Sequence, residues 1–430
     1  MQRRFVPLLL AAALLIVGCA DGVLTPTAPA STASANHSLS RAASKDILYQ
    51  LNDAVTGPQS RALTQVINRY GLTRGQSLVN GTVQRVSIGN ANGHAEADIA
   101  TELVATGAVA FAEVDELLKP AAIGVVPIVP NDSLYALQWH LPRINAPTAW
   151  AYATGSAAVI VAVCDGGVEL THPDLAANIH TPGYNVVDYT FDGSPVPSDG
   201  SANSGSTHGT KVAGMLGAVG NNISGVTGVN WTVEILSIRV TDDTSGNTTI
   251  SKLVECVDYA RSRGAKVVNV SYNGIASSAS ANTAGKALMA AGGLLVVAAG
   301  NDGANMNPTK NYPGIVVVGG TDENDAITSF SNYGNAIDLM APALQITTTR
   351  PTWRGTYISN ETGTSFASPI VAGVAALIWS YKPSLTPATV QSIVFTTAKS
   401  MGGMAKNGST TYGYGRVDAG AALAKAATYP

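Results

Sequence analysis

The chain has 430 residues, 46% of them hydrophobic and only 12% charged, with a formal net charge of −3. That is about half the usual charged fraction. It allows a large Gly- and Ala-rich core and, with no basic block, excludes nucleic acid as a partner. Three cysteines, Cys19, Cys164 and Cys256, are too few for a disulfide framework, and the length admits two domains plus extensions.

Arg3 and Arg4 precede an apolar run from Phe5 to Val17, too short to span a bilayer and fitting a signal-peptide core. Ile16-Val17-Gly18-Cys19 looks like a bacterial lipobox, so residues 1–18 are expected to be removed and Cys19 lipidated. An ordinary signal peptide with an incidental cysteine is the plainer alternative. Residues 19–45, rich in Ala, Ser, Thr and Pro, read as a flexible tether.

Residues 46–120 read as a separate small α+β unit. Ile47–Leu51, Thr82–Ile88 and Val109–Leu118 have strand character, and Ser60–Tyr70 and Ala95–Ala105 have helical spacing. The order fits a split βαβ, ferredoxin-like pattern. Residues 121–130 have no periodicity and read as a linker.

From Asn131 to the end, strands alternate with helices. Val159–Val163, Val233–Val240, Val267–Ser271, Leu294–Ala298 and Ile315–Val318 are apolar or β-branched runs. Helical stretches at His208–Val219, Ser251–Arg263 and Ala281–Ala291 lie between them. Continuous apolar strands separated by helices predict a doubly wound, mainly parallel α/β sheet with helices on both faces. Ligands bind such sheets outside the carboxyl ends of the strands.

Four chemistry-bearing residues fall where that rule puts a site. Asp165 ends the run Ala162-Val163-Cys164, His208 opens a helix in Thr207-His208-Gly209-Thr210, and Asn301 follows Ala298-Ala299-Gly300. Ser365 lies in Gly363-Thr364-Ser365-Phe366-Ala367-Ser368-Pro369, at the mouth of a long apolar helix whose first N–H groups and dipole suit an oxyanion. Pro369 is expected in the first turn of that helix, where its missing N–H costs least. Taken singly, each is ordinarily a cap or a turn. Together they supply an acid, a base, a nucleophile and an amide donor on one edge.

Those four blocks resemble the subtilisin-family (subtilase) serine peptidases, thermitase-like members in particular, from about Asn131 to Ala426. The resemblance implies a serine endopeptidase with Ser365 as nucleophile, His208 as base, Asp165 as its orienter and Asn301 as oxyanion donor. It implies that substrate pairs with Ser271, Tyr272, Asn273 and Gly274, and that Ala298, Ala299 and Gly300 help wall the pocket before the scissile bond. It makes residues 46–120 an inhibitory propeptide removed by self-cleavage in 121–130, leaving 131–430 as the catalytic domain. Polypeptides are the expected substrates and a monomer the expected state, exported from a bacterial cell with the membrane reached only through Cys19. A structural calcium is implied at Asp132, Asp174 and Asn222 with the carbonyls of Val219, Ser224 and Val226, an all-oxygen set that suits a hard cation.

Two departures stand out. The family usually has glycine where Asn273 stands, so that side chain is expected to narrow a subsite. It usually has histidine where Lys211 stands; on the His208 face of the helix, Lys211 is expected to lower the His208 pKa. Cys164 is by default a buried thiol, its pairing with Cys256 left open. The chief rival reading is a non-catalytic surface lipoprotein on a peptidase scaffold. A GxSxG hydrolase is disfavoured by Ala367 and by the order Asp, His, Ser.

Overall fold

A computed structural model describes residues 46–115, 125–195, 205–306, 312–401 and 412–430. The signal segment, the Cys19 lipobox, the tether and residues 116–124 lie outside the described residues. The chain divides into two compact units, Met1–Ala122 and Ile123–Pro430.

In the first unit the order is β1 (Asp46–Leu51), α1 (Gly57–Tyr70), β2 (Thr73–Leu78), β3 (Val83–Ser87), α2 (Glu96–Ala105) and β4 (Val109–Val114). The strands form an antiparallel sheet in the order β2-β3-β1-β4, the ferredoxin-like arrangement. Helix α1 starts three residues before the expected Ser60 because Thr56 caps it in a reciprocal box with Gln59. Its Leu63, Val66 and Tyr70 join Ile47, Val86, Ile99 and Leu103 in a core of its own. Strand β2 escaped the sequence reading because Thr-Arg-Gly-Gln-Ser-Leu has no apolar alternation and is exposed at five of its six positions.

The second unit runs α3 (His140–Arg143), α4 (Ala146–Trp150), β5 (Gly155–Asp165), β6 (Tyr184–Asn185), α5 (Gly205–Gly217), β7 (Thr232–Arg239), α6 (Ile250–Ser262), β8 (Val267–Val270), α7 (Ala279–Ala290) and β9 (Leu294–Ala298). It continues through β10 (Val316–Thr321), β11 (Leu339–Pro342), β12 (Ile346–Thr349), β13 (Tyr357–Glu361), α8 (Thr364–Tyr381), α9 (Pro387–Thr396) and α10 (Ala419–Ala426). Seven strands pair in parallel in the order β11-β10-β9-β8-β5-β7-β6.

Strand alternation builds two cores. Val161 and Val163 of β5 face the core shared with α5, α8, α9 and α10, while Ala162 and Cys164 face the core shared with α6 and α7. Cys164 is disulfide-bonded to Cys256 of α6, so the default of a free thiol does not hold. Helix α8 is apolar and long enough to cross a membrane, but 83% of it is buried within the fold. It is the central helix of the larger core.

Because the strands run in parallel, Asp165, Val270 and Ala298 all close at one end of the sheet, and α8 begins beside them. The antiparallel hairpin β12–β13 leads straight into α8. It is held to α5 by Thr348 and Thr349, whose hydroxyls donate to the Lys211 and Thr210 carbonyls at 2.8 and 2.7 Å.

Candidate active site

Asp165 ends β5 with its side chain 1% exposed, at the bottom of a cleft of about 690 Å³. Both carboxylate oxygens lie 2.9 Å from His208 Nδ1, and Oδ1 also accepts from the Gly166 N–H at 2.8 Å. The helix bearing His208 comes this close because Gly209 has no side chain. A Cβ there would sit 2.3 Å from the Gly167 carbonyl oxygen. The acceptor pair fixes the ring with Nδ1 as donor and leaves Nε2 as the basic nitrogen.

Ser365 is the second residue of α8. Its hydroxyl donates to the Ser271 carbonyl at 3.3 Å, and its own carbonyl accepts from Ser271 Oγ at 3.0 Å. No hydrogen bond joins Ser365 Oγ to His208 Nε2 among the described residues, and such bonds commonly tighten only when substrate is bound.

The proline expectation is corrected here. Pro369 is the sixth residue of α8, past the first turn. In a regular helix its N–H would donate to the Ser365 carbonyl. That carbonyl is satisfied by Ser271 Oγ instead, so the proline's cost is met by a bond that ties the serine to the end of β8. Behind it a buried relay runs from Ser368 Oγ to Asn269 Oδ1 at 2.7 Å and from Asn269 Nδ2 to Ser271 Oγ at 3.0 Å.

Asn301 is oriented by a residue the sequence reading passed over. Thr364 donates to Asn301 Oδ1 twice, from its N–H at 2.9 Å and its hydroxyl at 2.8 Å. The amide oxygen is therefore spent, and Nδ2 is the group left for an outside acceptor. Asn273 is held at both ends of its amide. Its Oδ1 accepts from the Asn301 N–H at 3.1 Å and its Nδ2 donates to Asp302 at 3.5 Å, so it braces the Asn301 loop.

Ser271, Tyr272 and Asn273 line the cleft with Asp165 and His208. Gly274 turns at φ 83°, and Ala298–Gly300 pack behind, with the Gly300 N–H donating to Thr364 Oγ1 at 3.2 Å.

Burial pulls the His208 ring down, but the Asp165 charge and hydrogen bond push it up; Lys211 pulls down again and Glu361 pushes up. The result lies above the ordinary histidine value. The expected lowering by Lys211 is thus overridden. Its Nζ lies 3.1 Å from Glu361 Oε1, whose charge acts on the ring in the opposite direction.

The calcium residues also converge. Asp174 Oδ1 accepts from Asn222 Nδ2 at 2.8 Å and Oδ2 from the Val226 N–H at 3.0 Å, while the Val219 N–H reaches the Asp174 carbonyl at 2.9 Å. Asp132 Oδ2 accepts from the Asn221 N–H at 2.7 Å, and Ser224 donates its N–H to Asn222 Oδ1. Among the described residues no group of three His, Cys, Asp or Glu side chains is placed to hold a metal. Asp188 and Asp192, two acids on the loop after β6, face Arg239 at 3.8 Å each.

With this geometry in view, the comparisons are decisive. The subtilase family model, peptidase S8, matches residues 156–415. The chain belongs to the subtilase family. This subtilase is 37% identical over 295 residues to thermitase from Thermoactinomyces vulgaris, covering 67% of the chain and 97% of that protein. It is 34% identical over 288 residues to subtilisin Savinase from Lederbergia lenta, covering 67% of the chain and 98% of that protein. A solved protease structure from Pseudoalteromonas arctica superposes with a TM-score of 0.58 at 33% identity, covering 69% of this subtilase and 99% of that chain. The subtilase is a serine endopeptidase acting on polypeptides.

Proposed function

We propose that Asp165, His208, Ser365 and Asn301 carry out peptide-bond hydrolysis through an acyl-enzyme. What supports this most is the 1% exposed Asp165 carboxylate held on His208 Nδ1 at 2.9 Å, which sets the tautomer a general base needs. His208 Nε2 takes the Ser365 proton as Oγ bonds to the substrate carbonyl carbon. Negative charge builds on the carbonyl oxygen, where Asn301 Nδ2 and the Ser365 N–H donate. The imidazolium then protonates the leaving amine as the C–N bond breaks. Water, deprotonated by the same nitrogen, releases the acid. The test is a burst experiment with an activated ester. One equivalent of alcohol per enzyme is expected before steady turnover, and a linear trace from time zero would count against a covalent intermediate.

His208 must be neutral to act. With its pKa above the ordinary value, about 6.5, the acidic limb of kcat/KM is expected above that pH, activity falling as the ring protonates. Lys211→Met should move the limb up and Glu361→Gln should move it down. A pH–rate profile unmoved by both substitutions would remove these two charges from the account.

The same reading makes the first unit an inhibitory propeptide and folding aid, removed by self-cleavage between about 120 and 131. Export as a lipoprotein precursor through Cys19, with the mature enzyme freed by that cut, follows from the N-terminal motif.

Calcium fits the Asp132–Asp174 cluster. Asp132 Oδ1 is buried with no hydrogen-bond partner. Burial pushes the Asp174 carboxyl up to about 6 and the Asp132 charge adds to it, strain that a cation would relieve. Asp132, Asp174 and the carbonyls of Val219, Ser224 and Val226 would hold it. Asn222 would join after giving up its bond to Ser224. When bound, the ion neutralises the two acids and ties three loops together. Removing calcium with EGTA is expected to lower Tm by about 5–10 °C, from a linkage of about 2.7 kcal/mol at a hundredfold excess over Kd. Asp174→Asn should abolish most of that difference. An unchanged Tm in EGTA would eliminate the ion.

A further inference from the structure

On the reading given above, the acyl half of a substrate lies along the ends of β8 and β9. The 690 Å³ cleft is also lined by Lys211, by the Ser245–Asn247 loop and by the β12–β13 hairpin, the last through Arg350, Arg354, Ile358 and Glu361. That hairpin enters α8 just before Ser365, and so meets the chain that continues past the scissile bond.

Most charges in the cleft are already matched. Asp165 holds His208, and Lys211 holds Glu361 at 3.1 Å. Arg350 differs. Its backbone is fixed on both sides, the N–H donating to the Thr356 carbonyl at 2.6 Å and the carbonyl lying 3.1 Å from His172 Nε2. Its side chain is half-buried, has no ion-pair partner among the described residues, and keeps its Nε buried with no hydrogen bond. A desolvated guanidinium donor without an acceptor is costly, and a carboxylate meets its planar fork with two parallel bonds. Arg354 sets a second guanidinium on the same wall.

We propose that Arg350, with Arg354 beside it, forms a subsite for an acidic side chain on the leaving-group side of the scissile bond. The inference rests on the reading of Ser365 and of the Ser271–Gly274 edge given above. The subsite makes the enzyme select its cut sites by charge, independently of the pocket that receives the residue before the bond.

The test uses the mature enzyme and three sets of internally quenched peptides. They are identical on the acyl side and carry Glu, Ala or Lys at the first, second or third position after the bond. At one of these positions the parent is expected to prefer Glu over Ala by about fivefold in kcat/KM, the scale of a partly exposed ion pair. Arg350→Gln should bring that ratio near one, and Arg350→Lys should keep part of it. The parent's ratio should also fall as salt rises from about 0.05 to 0.5 M, which needs no variant to fold. A parent with no acidic preference at any of the three positions, or a preference that survives Arg350→Gln and high salt, overturns the proposal. In those cases the peptides are still cut in a Ser365-dependent way, whereas an error in the underlying reading would abolish that dependence.

Discussion

Ser365→Ala is expected to lower kcat by on the order of 10⁶, the loss that removing the nucleophile causes in subtilisin itself. The magnitude follows from the division of labour at the site. On the proposed reading Ser365 Oγ alone forms the acyl bond, and the Ser271 and Asn269 hydrogen bonds that hold its helix have no chemistry of their own. The same substitution should stop maturation. A chain whose cleavage in the 120–131 stretch depends on its own serine will accumulate at full length, with the N-terminal segment attached. Anti-tag blots of parent and variant, with parent enzyme added to the variant in a third lane, separate self-cleavage from trimming by the host. Normal processing of the variant in the absence of added parent would refute self-activation.

Asp165→Asn should cost about 10⁴ in kcat while leaving the protein folded. The carboxylate makes three contacts, the Gly166 N–H on Oδ1 and His208 Nδ1 on both oxygens, and an amide of the same shape cannot keep all three. Whichever way it turns, His208 Nδ1 meets an NH₂ group. The compromise that satisfies Gly166 presents a donor to Nδ1, flips the tautomer and removes the base from Nε2. The charge that pushes the His208 ring up is lost as well, so any residual activity should show its acidic limb at lower pH. A thermal melt of the variant keeps a folding defect from being read as a catalytic one. Residual kcat within tenfold of the parent would mean that the aspartate is not the orienter.

How much of this was legible in the sequence depended on how local the determinants were. Strand β9 was legible because Leu-Leu-Val-Val-Ala is apolar throughout, preceded by Gly292-Gly293 and followed within two residues by Gly300. Strand β2 and the β12–β13 hairpin were missed because their pairing is set by partners elsewhere in the chain, not by alternation within Thr-Arg-Gly-Gln-Ser-Leu or Ile-Thr-Thr-Thr.

The four chemical residues were readable because each sits beside its own glycine-rich turn. What orients them was not. Thr364 holding Asn301, Ser271 answering for the missing N–H of Pro369, and Glu361 offsetting Lys211 join segments 63, 94 and 150 residues apart. The Cys164–Cys256 disulfide, spanning 92 residues, belongs with them. Arg350 carries no motif at all. It becomes visible only when the fold gathers it into one cleft with His208, Ser271 and Tyr272.

The most direct test of the central claim is to label the mature enzyme with a serine-directed fluorophosphonate and map the adduct by peptide mass spectrometry. Stoichiometric modification of Ser365, at a rate that falls as His208 protonates, is the expected result. An adduct on any other serine, or a Ser365 no more reactive than the buried Ser368 three residues on, would contradict the account.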